Sequence, residues 1–210
     1  MTDWFPRLYE RYPDLTACRD AIAATHAILR DAFSRGQKLL LCGNGGSASD
    51  CEHIVGELMK GFLLRRPVPE ALRAALRDTD PTTAEYLADH LQGALPAISL
   101  VSQAALTTAF ANDVAADMAF AQQVYGYGRP GDVLLGISTS GNSRNVANAI
   151  RVARAIGVRT LGLTGQGGGV LTDLCEVAIR VPWADVADVQ ERHLAIYHAV
   201  CAQLEEDFFA

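Results

Sequence analysis

Lysine is nearly absent from this chain of 210 residues: only Lys38 and Lys60 occur, and arginine carries the rest of the positive charge. No lysine follows either of the two glycine-rich turns described below, which excludes a P-loop nucleotide site. No basic stripe offsets the net charge of −6, so binding of nucleic acid through its phosphates is not expected. Paired cysteines are missing too. Cys18, Cys42, Cys51, Cys175 and Cys201 are scattered and form no CxxC motif. That pattern fits reduced thiols in a cytoplasmic protein and argues against a cysteine metal site. No apolar run approaches the length of a membrane span. The opening, MTDWFPRLYERYPDL, lacks a basic stretch leading into an apolar one, so no signal peptide is expected.

What is present is a balanced globular composition, 50% hydrophobic and 20% charged. It suits a single compact domain spanning residues 1–210. Five short apolar runs read as strands: KLLLCG (38–43), AISLV (97–101), DVLLGIS (132–138), RTLGLTG (159–165) and VAIRVP (177–182). Between them lie segments with helical periodicity. Residues 14–35 form an N-terminal helix ended by Gly36, within a helical segment covering 1–36. Residues 47–62 form a helix with Ser47 as its cap. Further helices are expected near 103–113, at 142–157 and from Val186 to Phe208. Residues 64–95 are charged and proline-marked, with two short helical patterns, and read as an insertion on the outside of the domain. Apolar strands alternating with amphipathic helices predict an α/β fold: a doubly wound, five-stranded parallel sheet flanked by helices, flavodoxin- or Rossmann-like. Ligands of such sheets bind beyond the C-terminal ends of the strands.

Two turns stand at that edge. GNGGS (43–47) and STSGNS (138–143) each follow a strand and precede a helix, so each places free backbone N–H groups at a helix N-terminus. The second adds hydroxyls from Ser138, Thr139, Ser140 and Ser143. Hydroxyl and amide donors together suit the oxygens of a phosphate monoester without a lysine or arginine. The plain alternative is a pair of ordinary strand-to-helix turns. A dinucleotide reading also arises, because GNGGSA fits G-x-G-x-x-A. That fingerprint requires an acidic residue roughly 20 positions on, at the end of a second strand. Here the chain reads GFLLRRP, where only Arg65 and Arg66 could meet an NADP 2′-phosphate.

His53 and Glu57 sit four apart on the helix leaving the first turn, so they share a face. Near the other end, VQERHLAIYHAV offers Gln190, His193 and His198. A histidine and a carboxylate from one helix, with a histidine and an amide from another, could hold one divalent ion such as zinc. His193 and His198 lie about 140° apart at about 100° per residue, so one helix face cannot use both. Periodicity does not choose between them.

CGNGGSASDCEH, FANDV, GDVLLGISTSGNSRNV, LGLTGQGGG, IRVP and VQERHLAIYH together resemble the SIS (sugar isomerase) domain family. Within it the likeness is to the phosphoheptose isomerases, which convert sedoheptulose 7-phosphate to D-glycero-D-manno-heptose 7-phosphate. It covers nearly all of the chain except 64–95. The resemblance implies a zinc site of His53, Glu57, Gln190 and His198, and so prefers His198 to His193. It implies phosphate binding at Ser138, Thr139, Ser140 and Ser143. Sugar contacts fall on Asn44, Gly45, Ser47, Asn112, Asp113 and Gln190. Glu57 and His198 would carry the proton transfers of an aldose–ketose isomerase. A homotetramer with active sites between subunits is also implied, with a sugar phosphate as the small-molecule partner. Two departures bear on substrate choice: the family's acidic residue three positions before the glutamine is replaced by Ala187, with Asp185 and Asp188 out of register, and the 64–95 insertion lengthens the segment after KGF, close to the expected place of the substrate's far end. Relatives in the family also act as sugar-phosphate sensors, as an adaptor of a replication initiator protein, or on other phosphosugars.

Overall fold

A computed structural model describes residues 2–210. Five parallel strands form one sheet: β1 (Leu39–Gly43), β2 (Ala97–Ser99), β3 (Val133–Ile137), β4 (Arg159–Thr164) and β5 (Val177–Arg180). Their order is β2-β1-β3-β4-β5, the flavodoxin-like doubly wound order. The register pairs Leu39 with both Ala97 and Val133, Leu134 with Thr160, and Leu161 with Val177. Each expected strand is present, one or two residues shorter than its apolar run.

Strand alternation explains the two layers. Leu39 and Leu41 of β1, with Val133, Leu135 and Ile137 of β3, face one hydrophobic core. Leu40, Cys42 and Leu134 face the other. The first core is closed by α2 (Arg19–Ser34), α3 (Gly46–Met59) and α10 (Val186–Phe209), through Ile22, Phe33, Ile54, Leu58, Ile196 and Leu204 among others. α1 (Trp4–Arg11) adds Leu8 to it. The second core is closed by α7 (Ala119–Tyr127) and α8 (Arg144–Ala155), through Phe120, Val124, Val146 and Ile150. A strand buried on both sides has no polar face to show, which is why its sequence reads as a plain apolar run.

Several expected boundaries move. The segment expected as a helix over 14–35 opens as a 3₁₀ turn, Pro13–Cys18, because Pro13 supplies no N–H and fixes the first turn. Gly36 does end α2, at φ 72°. Ser47 is not the cap of α3. Gly45 takes that position at φ 55° and ψ −123°, and Ser47 is buried inside the first turn. Gly45 is needed there because the left-handed region disfavours a side chain. The helix near 103–113 is α6 (Ala104–Phe110), followed by one π-helical turn at Ala111–Ala115.

Residues 64–95 contain the two expected helices, α4 (Glu70–Thr79) and α5 (Ala84–His90), which pack on each other. α4 buries none of its residues. The stem of this segment, however, is not external: Arg66 is 1% exposed and enters the core. The remaining element, α9 (Leu171–Leu174), is a single turn between β4 and β5.

Candidate active site

The glycine turns after β1, β3 and β4 share the C-terminal edge of the sheet. They are stitched together. Asn44 and Asn145 exchange amide hydrogen bonds of 3.0 and 2.8 Å, joining the first turn to the start of α8. Gly141, at φ 66°, lies so close to Gly168 and Gly169 that an added Cβ would stand 1.9 Å from the Gly168 carbonyl oxygen. No side chain fits between these turns.

In the serine turn the Ser138 and Ser143 hydroxyls are 2.9 Å apart, and the Ser140 hydroxyl is 3.5 Å from that of Ser138. Ser140 also accepts the Asn142 amide at 3.2 Å. Ser143 precedes α8 without capping it through its side chain. The hydroxyls therefore cluster at a helix N-terminus whose first N–H groups are not capped by Ser143, an arrangement that can receive an anion.

The second cluster comes from α3 and α10. Gln190 lies against Gly46, where an added Cβ would be 2.5 Å from its Nε2. Further along, His53 Nε2 is 3.4 Å from His198 Nε2 and 3.2 Å from Glu57 Oε1. The contacts advance together along both helices, so α3 and α10 run side by side in the same direction. The packing separates the two histidines: His198 meets His53, whereas His193 is fully buried. Neither ring nitrogen of His193 has a hydrogen bond of normal geometry, although the Thr164 backbone is near enough to favour the charged ring slightly. Burial dominates and lowers its pKa to about 4.

His193 makes stability pH-dependent. The unfolded chain takes up this proton near pH 6.5, the folded chain only near 4. Its contribution is whole above 6.5 and is lost as the pH falls through that window. The loss is about 1.4 kcal/mol per pH unit, or about 3 kcal/mol across it. Urea unfolding at pH 7.5 and pH 5 should show wild type losing about 2 kcal/mol more than His193→Met. Equal losses would show that His193 does not charge.

Around the cluster, the Tyr197 hydroxyl is 2.9 Å from His53 Nδ1 and 3.3 Å from Asp50 Oδ1. Burial, with the neighbouring Asp50, pushes the Tyr197 phenol up, so it stays protonated. Burial raises the Asp50 carboxyl, against the Tyr197 hydrogen bond and the His53 charge. Burial likewise lowers the His198 imidazole, helped by His53 and opposed by Glu57. The Glu57 side chain is 12% exposed, and its Oε2 is buried with no hydrogen bond, the Lys60 ammonium standing 3.9 Å away. Among the described residues, no three His, Cys, Asp or Glu side chains close into a metal-holding group by themselves.

Behind Glu57, Arg66 donates to the Glu57 and Leu58 carbonyls at 2.9 and 2.8 Å and to Glu205 at 2.7 Å. Glu205 also accepts the amides of Phe62, Leu63 and Leu64. Burial would raise the Glu205 carboxyl, but these amides and Arg66 outweigh it and hold it low. Arg66 is thus spoken for and does not serve a 2′-phosphate.

Not every expected residue joins the site. Asn112 and Asp113 are exposed on the π turn and hydrogen-bond each other, with no hydrogen bond to the glycine turns. Three residues escaped sequence reasoning. Asn145 carried a signal, its place in the first turn after the serines. Asp50 shares the helical face of His53 only at its edge, and Tyr197 reads as core.

The matching SIS domain profile covers residues 87–165. A phosphoheptose isomerase of Pelobacter propionicus is 41% identical over 184 residues, 88% of this chain and 84% of that protein. The chain belongs to the phosphoheptose isomerase family. The family member from Akkermansia muciniphila is 35% identical over 200 residues, covering 95% of this chain and 92% of its own. Among solved structures, the phosphoheptose isomerase of Neisseria gonorrhoeae superposes with a TM-score of 0.75 at 28% identity, over 96% of this chain and 95% of that one. The doubly wound fold is therefore the fold of this family.

Proposed function

We propose that this chain interconverts sedoheptulose 7-phosphate and D-glycero-D-manno-heptose 7-phosphate through a cis-enediol. It is an aldose–ketose isomerase of the phosphoheptose type. The observation that carries the site reading is the approach of Glu57 and of His198, 145 positions on from His53, to His53 Nε2, at 3.2 and 3.4 Å.

Ser138, Thr139, Ser140 and Ser143, with the first amides of α8, would hold the phosphate. Binding energy spent there positions carbons far from it. Asn44, Gly45, Ser47, Asn112, Asp113 and Gln190 would contact the sugar, the exposed Asn112–Asp113 pair after moving inward. Glu57 then takes a proton from C1 of the ketose as the C1=C2 bond forms, and O2 gains the proton that O1 gives up through His198. Returning the carbon-bound proton from Glu57 to C2 as the C1–O1 bond becomes the carbonyl gives the aldose. His198, held below its ordinary pKa by burial, is neutral at pH 7 and can carry the hydroxyl proton between O2 and O1.

One zinc ion would be held by His53, Glu57, Gln190 and His198. The donor types fit, and Glu57 Oε1 and His198 Nε2 stand 3.2 and 3.4 Å from His53 Nε2. Glu57 Oε2 is buried without a hydrogen bond, with only the Lys60 ammonium near it at 3.9 Å. When bound, the ion would polarise the substrate's carbonyl and hydroxyl oxygens. A homotetramer with active sites between subunits, as the family likeness implies, would offer cover to exposed apolar side chains such as Val114, Tyr125, Val186 and Leu194. No helix among the described residues is long and apolar enough to cross a membrane, and a cytoplasmic location suits the free cysteines.

Purified, zinc-supplemented protein should convert sedoheptulose 7-phosphate to the aldose by NMR, and a chelator should abolish this. Thermal stabilisation by the sugar phosphate without turnover would replace the isomerase reading by a sensor, or by an isomerase of another phosphosugar.

A further inference from the structure

We infer that Tyr197 and Asp50 are positioning residues that fix His53 as the Nδ1–H tautomer, so that Nε2 turns its lone pair toward Glu57 and His198. The inference rests on the proposed site, and it names residues with no role in that reading.

Hydrogen-bond accounting carries the argument. The Tyr197 hydroxyl has one proton and two neighbours, Asp50 Oδ1 and His53 Nδ1. An ionised carboxylate only accepts, whereas a neutral imidazole nitrogen does either. Asp50 has no other donor, and its Oδ2 is already buried without one. If tyrosine gave its proton to His53, Asp50 would have no hydrogen bond at all, a costly state for a half-buried charge. If tyrosine donates to Asp50, the His53 Nδ1–H donates to the phenol oxygen and all three groups are paired. The 2.9 Å separation is ordinary for such an N–H···O bond. The Tyr197 ring is held edge-on to His53 with centroids 5.4 Å apart and is only 4% exposed, so the hydroxyl does not swing away.

The consequence lies on the other side of the ring. Nε2 without a proton stands 3.2 Å from a carboxylate oxygen and 3.4 Å from a second imidazole nitrogen. Lone pairs so close favour a cation or a donated proton among them. A partner on the far nitrogen is the usual way a ligating histidine is oriented and made more basic.

The test is a long-range ¹⁵N–¹H correlation spectrum of chelated, histidine-labelled protein at pH 8. The chain has five histidines, and His53→Gln assigns the signal. Wild type should show His53 as Nδ1–H. Asp50→Ala frees the hydroxyl to donate to Nδ1 and should switch His53 to Nε2–H. Tyr197→Phe, which keeps the ring, should give a mixture and weaken zinc binding about 10–100-fold, the usual effect of losing such an outer partner. Wild-type His53 as Nε2–H, or an unchanged tautomer in Asp50→Ala, overturns the inference. Should either variant unfold, by its urea midpoint, the other and the wild-type spectrum still decide. Failure to isomerise sedoheptulose 7-phosphate would remove the substrate reading and leave the tautomer result standing.

Discussion

Glu57→Gln is expected to lower turnover of sedoheptulose 7-phosphate by about 10²–10⁴-fold, the range a positioned general base contributes. The substitution is isosteric, so the loss is not one of packing. The Glu57 side chain is 12% exposed and 3.2 Å from His53, a place where a carboxylate is largely stripped of water. The serine turn is untouched, so the sugar phosphate should still stabilise the variant in a thermal shift. Exchange of the C1 proton with D₂O should disappear along with product formation, since both need the same base. Wild-type turnover by Glu57→Gln would remove Glu57 from the chemistry.

Arg66→Met should cost about 3–5 kcal/mol of stability, because it leaves Glu205 as a buried charge without its partner. The side chains of Arg66 and Glu205 are 0% and 1% exposed. Buried pairs can often be exchanged for apolar residues with little loss. Here the double variant Arg66→Met/Glu205→Met should not recover. Glu205 also receives three backbone amides, and Arg66 supports the two carbonyls that end α3. Each such group left unpaired costs about 1–3 kcal/mol, less where water reaches it. Urea unfolding should place the double variant at least about 2 kcal/mol below wild type. Wild-type stability in the double variant would mean that the pair is replaceable and that the strap at 61–66 holds without it. Because Arg66 grips the Glu57 carbonyl, the single variant should also lose kcat at temperatures where it is still folded.

Much of this molecule could be read along the chain. Five apolar runs became five parallel strands because a strand covered on both faces needs no polar positions. The glycine turns, and the pairing of His53 with Glu57, depend on residues a few positions apart, and so were legible as motifs. Ser47 has the chemistry of a cap, since serine commonly caps helices. The turn instead needed a positive φ one residue before the helix, which Gly45 provides. Arg66 was assigned to an outer segment because charge near prolines usually marks surface. Its partner Glu205 lies 139 residues away, beyond any local signal.

The sequence by itself determined the sheet, the two glycine turns at its C-terminal edge and the face of α3 that carries a histidine and a carboxylate. These are local matters of side-chain periodicity and backbone sterics. Only the tertiary structure decided that Asn44 meets Asn145, that His198 and not His193 faces His53, and that Tyr197 bridges Asp50 to the same ring. The reason is the rotational setting of a 24-residue helix. α10 is apolar over so much of its circumference that periodicity leaves its orientation open. That orientation is set by how Ile196, Val200 and Leu204 pack against α2, α3 and the sheet.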